Sequence, residues 1–179
     1  MNADKAVLRY GGKRQFERAF DLLSAHCVRV FLSVRPGQAK ARRYAHFPRI
    51  LDLFGDLGPM GGILSALETY PGAAWLVMAC DLPFLDLRTL RHLIRSRNRK
   101  QIATAYRSAH DGLPEPLCGI YEPHSAAALR KFVQQGITCP RRALRKARID
   151  LLEPVNPRAL DNVNTRAEYV RARAEIERG

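Results

Sequence analysis

Apolar positions recur at helical spacing through 15–26, with Phe16, Ala19, Phe20 and Leu23 on one face, and then close up into the β-branched run "VRVFLSV" at 28–34. The change of period predicts a helix followed by a largely buried strand. A basic connector ends near Pro48, a short strand is expected at 49–52, and the glycines and proline of "GDLGPMGG" at 55–62 rule out regular structure until helical periodicity resumes in "ILSALETY". The most apolar strand, "AAWLVMA" at 73–79, runs to Cys80 and Asp81, and Pro83 lacks the N–H that would extend it.

The second half continues the alternation. Asp86 is placed to cap "LRTLRHLIRS", where Leu87, Leu90, Leu93 and Ile94 share a face. "IATAY" and "EPLCGIY" flank the turn sequence "HDGLP", and "HSAAALRKFVQQ" is a helix that Gly136 ends in a left-handed cap. A basic helical turn, the strand "IDLLEP", a short "LDNVN" and a last helix "TRAEYVRARAEIER" complete the chain. Strands separated by helices of this length imply right-handed crossovers and a mostly parallel sheet covered on both faces, hence one α/β domain over 1–179. In such sheets ligands bind just beyond the carboxyl ends of strands, which singles out Asp52 and Asp81.

Composition narrows the classes. With 46% hydrophobic and 26% charged residues the chain is expected to be globular. It has neither a run of ~20 apolar residues nor a signal-peptide pattern, so the cytoplasm is the expected compartment. Cys27, Cys80, Cys118 and Cys139 form no Cys-x-x-Cys pair, and are expected to be reduced and mostly buried. A net charge of +13 invites nucleic acid as a partner, yet the cations are spread over 40–46, 91–100 and 141–148 as solvated faces, so nucleic-acid binding is not the expected role. The surviving implication is a field that attracts anionic small molecules such as nucleotides.

Each candidate residue has a plain alternative. Asp81, past an apolar strand, suits a hard cation such as Mg²⁺ that bridges nucleotide phosphates, or is an N-cap or turn aspartate. "GPMGG" at 58–62 would let backbone N–H groups approach a ligand, or is a steric turn. Lys5 can bind phosphate as a point charge, or is a surface lysine. "DNVNT" at 161–165 can help place a metal or a ribose, or caps the last helix through Asn164 or Thr165. Histidine and serine spacings offer neither a zinc nor a serine-hydrolase pattern.

Taken in order, "ADKA.L", "GPMGG", "ACDLPFL", "EPLCGIYE" and "DNVNT" resemble the MobA-type nucleotidyltransferases, molybdenum cofactor guanylyltransferases in particular. The resemblance implies a Rossmann-like three-layer α/β/α fold. It also implies Mg²⁺-dependent transfer of GMP from GTP to the phosphate of molybdopterin with release of pyrophosphate, and molybdoenzymes or cofactor-delivery proteins as further partners. It assigns Lys5 and Asp81 to catalysis, with Lys5, Asp52, Gly58, Pro59, Gly61, Gly62 and Asp81 around the nucleotide and Asp81, Asn162 and Asn164 around the metal. Glu115 stands where relatives often carry an uncharged polar residue, which bears on the acceptor.

Members of that family open with a buried strand that runs into Leu-Ala-Gly-Gly and a basic loop; here only "MNADK" precedes the rest, with Met1 in the place of the loop methionine and Asn2 in that of a glycine. The expectation is a chain that starts inside a longer protein and lacks a central strand between 28–34 and 73–79. Unsatisfied buried backbone groups at ~1–3 kcal/mol each would leave it poorly stable and weakly active or inactive. Two other functions stay open: an inactive nucleotide-binding or regulatory module, and a cytidylyltransferase of the same family.

Overall fold

The computed structural model describes residues 5–178. The expectations attached to Met1, Asn2 and Asp4 lie outside the described residues. A 3-10 turn at Lys5–Val7 leads into a hairpin of β1 (Arg9–Tyr10) and β2 (Lys13–Arg14), followed by α1 (Gln15–Ser24), β3 (Leu32–Val34), β4 (Arg49–Leu51) and α2 (Pro59–Thr69). Then come β5 (Trp75–Met78), α3 (Leu87–Arg95), β6 (Ala103–Arg107) and β7 (Pro114–Tyr121). Last are α4 (Ser125–Gln134), α5 (Pro140–Lys146), β8 (Asp150–Leu152) and α6 (Arg166–Ile176).

β3 and β4 pair in parallel as one ribbon, while β5-β7-β6-β8 form a second, mixed sheet in which β7 is antiparallel to both neighbours and β6 and β8 are parallel. β5, β6 and β8 therefore share one direction and only β7 is reversed. The alternation of β7 divides the core in two. Tyr121 packs with Met60, Leu64 and Leu67 of α2 and Leu129 of α4. Cys118 and Ile120 pack on the opposite face with Leu90 and Leu93 of α3. The α/β class and the three layers stand as expected.

Local differences have local causes. α2 begins at Pro59 rather than after Gly62, because proline at the first helical position has the right φ and no N–H to lose. The β1–β2 hairpin went unforeseen: Gly11 and Gly12 adopt φ of 54° and 81°, a two-residue turn that needs both positive φ values, but its strands are short and charged. Leu87 lies at the exposed start of α3 and leaves the face to Leu90 and Leu93. Cys118 is buried and Cys27 and Cys80 half-buried, but Cys139 is exposed; none of these four described cysteines is joined in a disulfide. None of the described helices is long and apolar enough to cross a membrane.

A further difference concerns 28–34, expected as a largely buried strand, and 73–79, expected as the most apolar one. Only 32–34 of the run 28–34 pairs as strand, Val28 is 102% exposed, and β5 is half-buried at every position. The reason is a cleft of about 1350 Å³ between the β3–β4 ribbon and β5, which takes one edge of each out of the core.

Beyond β7, Arg97 donates two bonds to Glu122, at 2.6 and 2.7 Å, and the Glu122 side chain is 3% exposed. Those bonds hold the Glu122 carboxyl below the ordinary carboxylate range. A depressed folded value means stability that is complete above about pH 4.3 and is lost as pH falls through the lower value. Glu122→Gln is expected to cost about 2 kcal/mol at pH 7 in urea titrations, and its deficit to narrow as the pH approaches 3.

Candidate active site at the mouth of the cleft

The two walls of the cleft meet near their amino ends. The Phe31 ring, just before β3, meets Trp75, the first residue of β5, at a centroid distance of 5.7 Å, and Tyr70 at the end of α2 lies 5.5 Å from Phe31. With their amino ends together, β3, β4 and β5 send Arg35, Asp52 and Asp81 past their carboxyl ends into the lining of this cleft. This is where an open α/β sheet accepts ligands.

Lys5 is the hub. Its Nζ donates to Asp81 Oδ2 at 3.1 Å and also to Asn164 Oδ1, joining positions 76 and 159 residues apart. The carbonyl of Asp81 accepts from the N–H of Val163 at 3.2 Å, which ties the "DNVNT" segment to the end of β5. Asp81 is no helix cap: Asp86 takes that role by accepting from Thr89 N–H at 2.7 Å. Thr165 rather than Asn164 caps α6, in a reciprocal box with Glu168, so the Asn164 side chain is left to Lys5. Asn162 is exposed and outside the cleft lining.

Asp52 has a structural task. It is 6% exposed, and its Oδ1 accepts from Phe54 N–H at 3.0 Å. A Cβ on Gly61 would come within 2.6 Å of that oxygen, so Gly61 is a glycine because of Asp52. Gly58, Pro59 and Gly62 line the cleft, and Gly58 takes φ 55° where the chain turns into α2. No side chain caps that helix.

Two residues at the site were not singled out from sequence. Arg35 sat in a basic connector, although its place directly after a strand was the same signal that marked Asp81. Tyr10, 2% exposed and edge-on to Tyr169 at 5.3 Å, is buried close enough to Asp81 to feel its charge. Burial, with Tyr169 and Asp81 adding to it, pushes its phenol up to about 12, so Tyr10 stays neutral at physiological pH.

The donor set tests the fit of a metal. Among the described residues no three His, Cys, Asp or Glu side chains cluster. A carboxylate and an amide oxygen converging on one cation suit Mg²⁺, which typically keeps water and substrate phosphates as its other ligands.

Residues 1–151 match the family model of the MobA-like NTP transferase domain. A Synechocystis molybdenum cofactor biosynthesis bifunctional protein is 37% identical over 94% of this chain, which spans 49% of that protein's length. A probable molybdenum cofactor guanylyltransferase of Trichormus variabilis is 27% identical over 99% of this chain and 86% of its own. Among solved structures, molybdopterin-guanine dinucleotide biosynthesis protein A of Archaeoglobus fulgidus superposes with a TM-score of 0.79 at 22% identity, covering 99% of this chain and 93% of that one. The Thermus thermophilus 2-C-methyl-D-erythritol 4-phosphate cytidylyltransferase gives a TM-score of 0.73 at 14% identity, over 96% and 93% of the two chains. With this extent of agreement in sequence, and with the lysine, the strand-end aspartate and the asparagine gathered at one cleft mouth, the chain belongs to the family of MobA-like NTP transferase domains.

Proposed function

We propose that the chain transfers GMP from GTP to the terminal phosphate of molybdopterin and releases pyrophosphate. The observation that carries this reading is the convergence of Lys5, Asp81 and Asn164 past β5, together with the guanylyltransferase names of its relatives. Asp81 and Asn164 would hold Mg²⁺, which when bound neutralises charge on the phosphates. The Lys5 ammonium, already aimed into the site by two oxygen acceptors, is placed to exchange them for phosphate oxygens as the triphosphate enters. A phosphate oxygen of the acceptor bonds to the α-phosphorus, and the bond from that phosphorus to the α,β-bridging oxygen breaks, its electron pair leaving with pyrophosphate. An acceptor phosphate ionised at neutral pH needs no general base, so positioning and charge supply the rate.

The test is calorimetric titration of GTP, CTP and ATP with Mg²⁺, followed by transfer to molybdopterin. GTP is expected to bind about tenfold or more tighter than either competitor, a difference of about 1.4 kcal/mol. Preference for CTP would move the chain to cytidylyl transfer, and binding without transfer would leave a nucleotide-binding module.

A further inference from the structure

α1 carries two stripes at helical spacing. Phe16, Phe20 and Leu23 line the large cleft, while Gln15, Arg18, Leu22 and Ala25 line a separate cavity of about 400 Å³ between α1 and the segment that follows β5. Leu22, Met78, Leu82 and Leu85 make its walls apolar, and its size suits a small organic molecule. Lys13 and Asp21, both exposed, also line it and pair with each other at 2.8 Å, so that carboxylate is already engaged.

Two polar side chains in this cavity have bonding capacity to spare. Gln15 is 4% exposed; its Nε2 donates to the carbonyl of Leu82 at 3.2 Å, and its Oε1 has no partner. The Leu82 carbonyl can only accept, which fixes the amide in that orientation. Arg18 Nη2 reaches the carbonyl of Pro83 at 3.5 Å and the guanidinium lies 5.5 Å from the Tyr10 ring centroid, but Nη1 is shielded from solvent and unpartnered. Burial holds this guanidinium below the ordinary arginine range, and among the described residues no carboxylate offsets it. Proteins seldom leave a shielded cation and a buried amide oxygen in this condition.

A ligand that answers these features has a carboxylate for Arg18, a hydrogen-bond donor beside that carboxylate for Gln15 Oε1, and a short apolar body for the leucines. Water would satisfy the two polar atoms but match neither the charge nor the apolar walls. An amino acid fits less well, because its ammonium would stand beside an arginine with no free carboxylate to receive it.

We infer that the cavity between α1 and residues 82–87 is a binding site for a small α-hydroxy acid with an apolar tail, its carboxylate on Arg18 and its hydroxyl donating to Gln15. The same two side chains hold the carbonyls of Leu82 and Pro83, so the bound acid braces the segment directly after Asp81. The inference rests on the cavity and its two unpartnered atoms and not on the reaction proposed at the mouth.

The experiment titrates 2-hydroxy-4-methylpentanoate into the 179-residue chain without nucleotide. One-to-one binding in the millimolar range is expected, and near saturation hydrogen exchange should slow about tenfold at 15–22 and 82–87. 4-Methylpentanoate, which lacks the hydroxyl, is expected to bind about fivefold more weakly, and Arg18→Met to weaken binding of the hydroxy acid about tenfold or more. Equal affinity for the two acids would overturn the inference, since the cavity would then take any apolar carboxylate. Absence of saturable binding would overturn it too, because water alone would then serve the two atoms. Should Arg18→Met fail to fold, the unaltered chain decides: protection at 33–35 and 52–62, along the large cleft, in place of 15–22 and 82–87 would overturn the assignment.

Discussion

Replacing Asp81 with alanine is expected to lower Mg²⁺-dependent nucleotidyl transfer about 10³-fold, equivalent to about 4 kcal/mol of transition-state stabilisation. The change removes the carboxylate at the proposed cation position and releases Lys5 from one of its two acceptors. Its effect on folding should be small. The Asp81 and Lys5 side chains are 24% and 31% exposed, and a pair that open to water contributes about 0–1 kcal/mol. A large kinetic loss with a nearly unchanged melting temperature separates a residue that works on phosphate from one that holds the loop. Asp81→Asn should keep the hydrogen bond from Lys5 and still lose most of the metal dependence; full activity in that variant would remove the carboxylate from the chemistry. Where turnover is slow, nucleotide affinity with and without Mg²⁺ reads the same difference.

The second large effect is on stability. Gly61→Ala places a methyl group 2.6 Å from Asp52 Oδ1 and 3.1 Å from its Cγ, which no contact allows. Alanine favours a helix over glycine by up to about 1 kcal/mol, but the carboxylate must move, and moving it strands the Phe54 N–H. Overpacking of this kind costs about 1–3 kcal/mol, and the net result should be a melting temperature several degrees lower. In an Asp52→Ala background the obstacle is gone, and the same Gly61→Ala change should be neutral or stabilising. That sign reversal in a double-mutant cycle is the signature of the contact; additive effects would refute it. Gly62→Ala is the control, because its nearest neighbour is the Ser33 hydroxyl at 2.7 Å, which can rotate away.

The Asp52–Gly61 contact shows why a motif is easier to see than to interpret. The glycines of "GPMGG" resemble a nucleotide-binding turn, and Gly58 and Gly62 do line the cleft. Gly61, in the same motif, answers to a buried carboxylate nine residues earlier, and α2 has already begun at Pro59. A sequence pattern gives the order of residues along the chain and not the side of the helix on which each one works. The N-terminal hairpin was missed for a different reason. Its Gly-Gly turn was visible, but strands of two residues carry no period to detect.

What local chemistry fixed in this protein is what depends on near neighbours. The 3.6 and 2.0 residue periods, the Asp86 cap and the strand-ending Pro83 marked the α/β alternation and the strand-end position of Asp81. What only the tertiary structure decided depends on distance in space. Lys5 met Asp81 and Asn164 across 76 and 159 residues, Thr165 took the cap, and the most apolar strands were left half-exposed beside an open cleft. Burial is a property of what lies opposite a residue, and hydrophobicity along the chain states only the preference, so the partner of an edge appears only once the sheet is assembled.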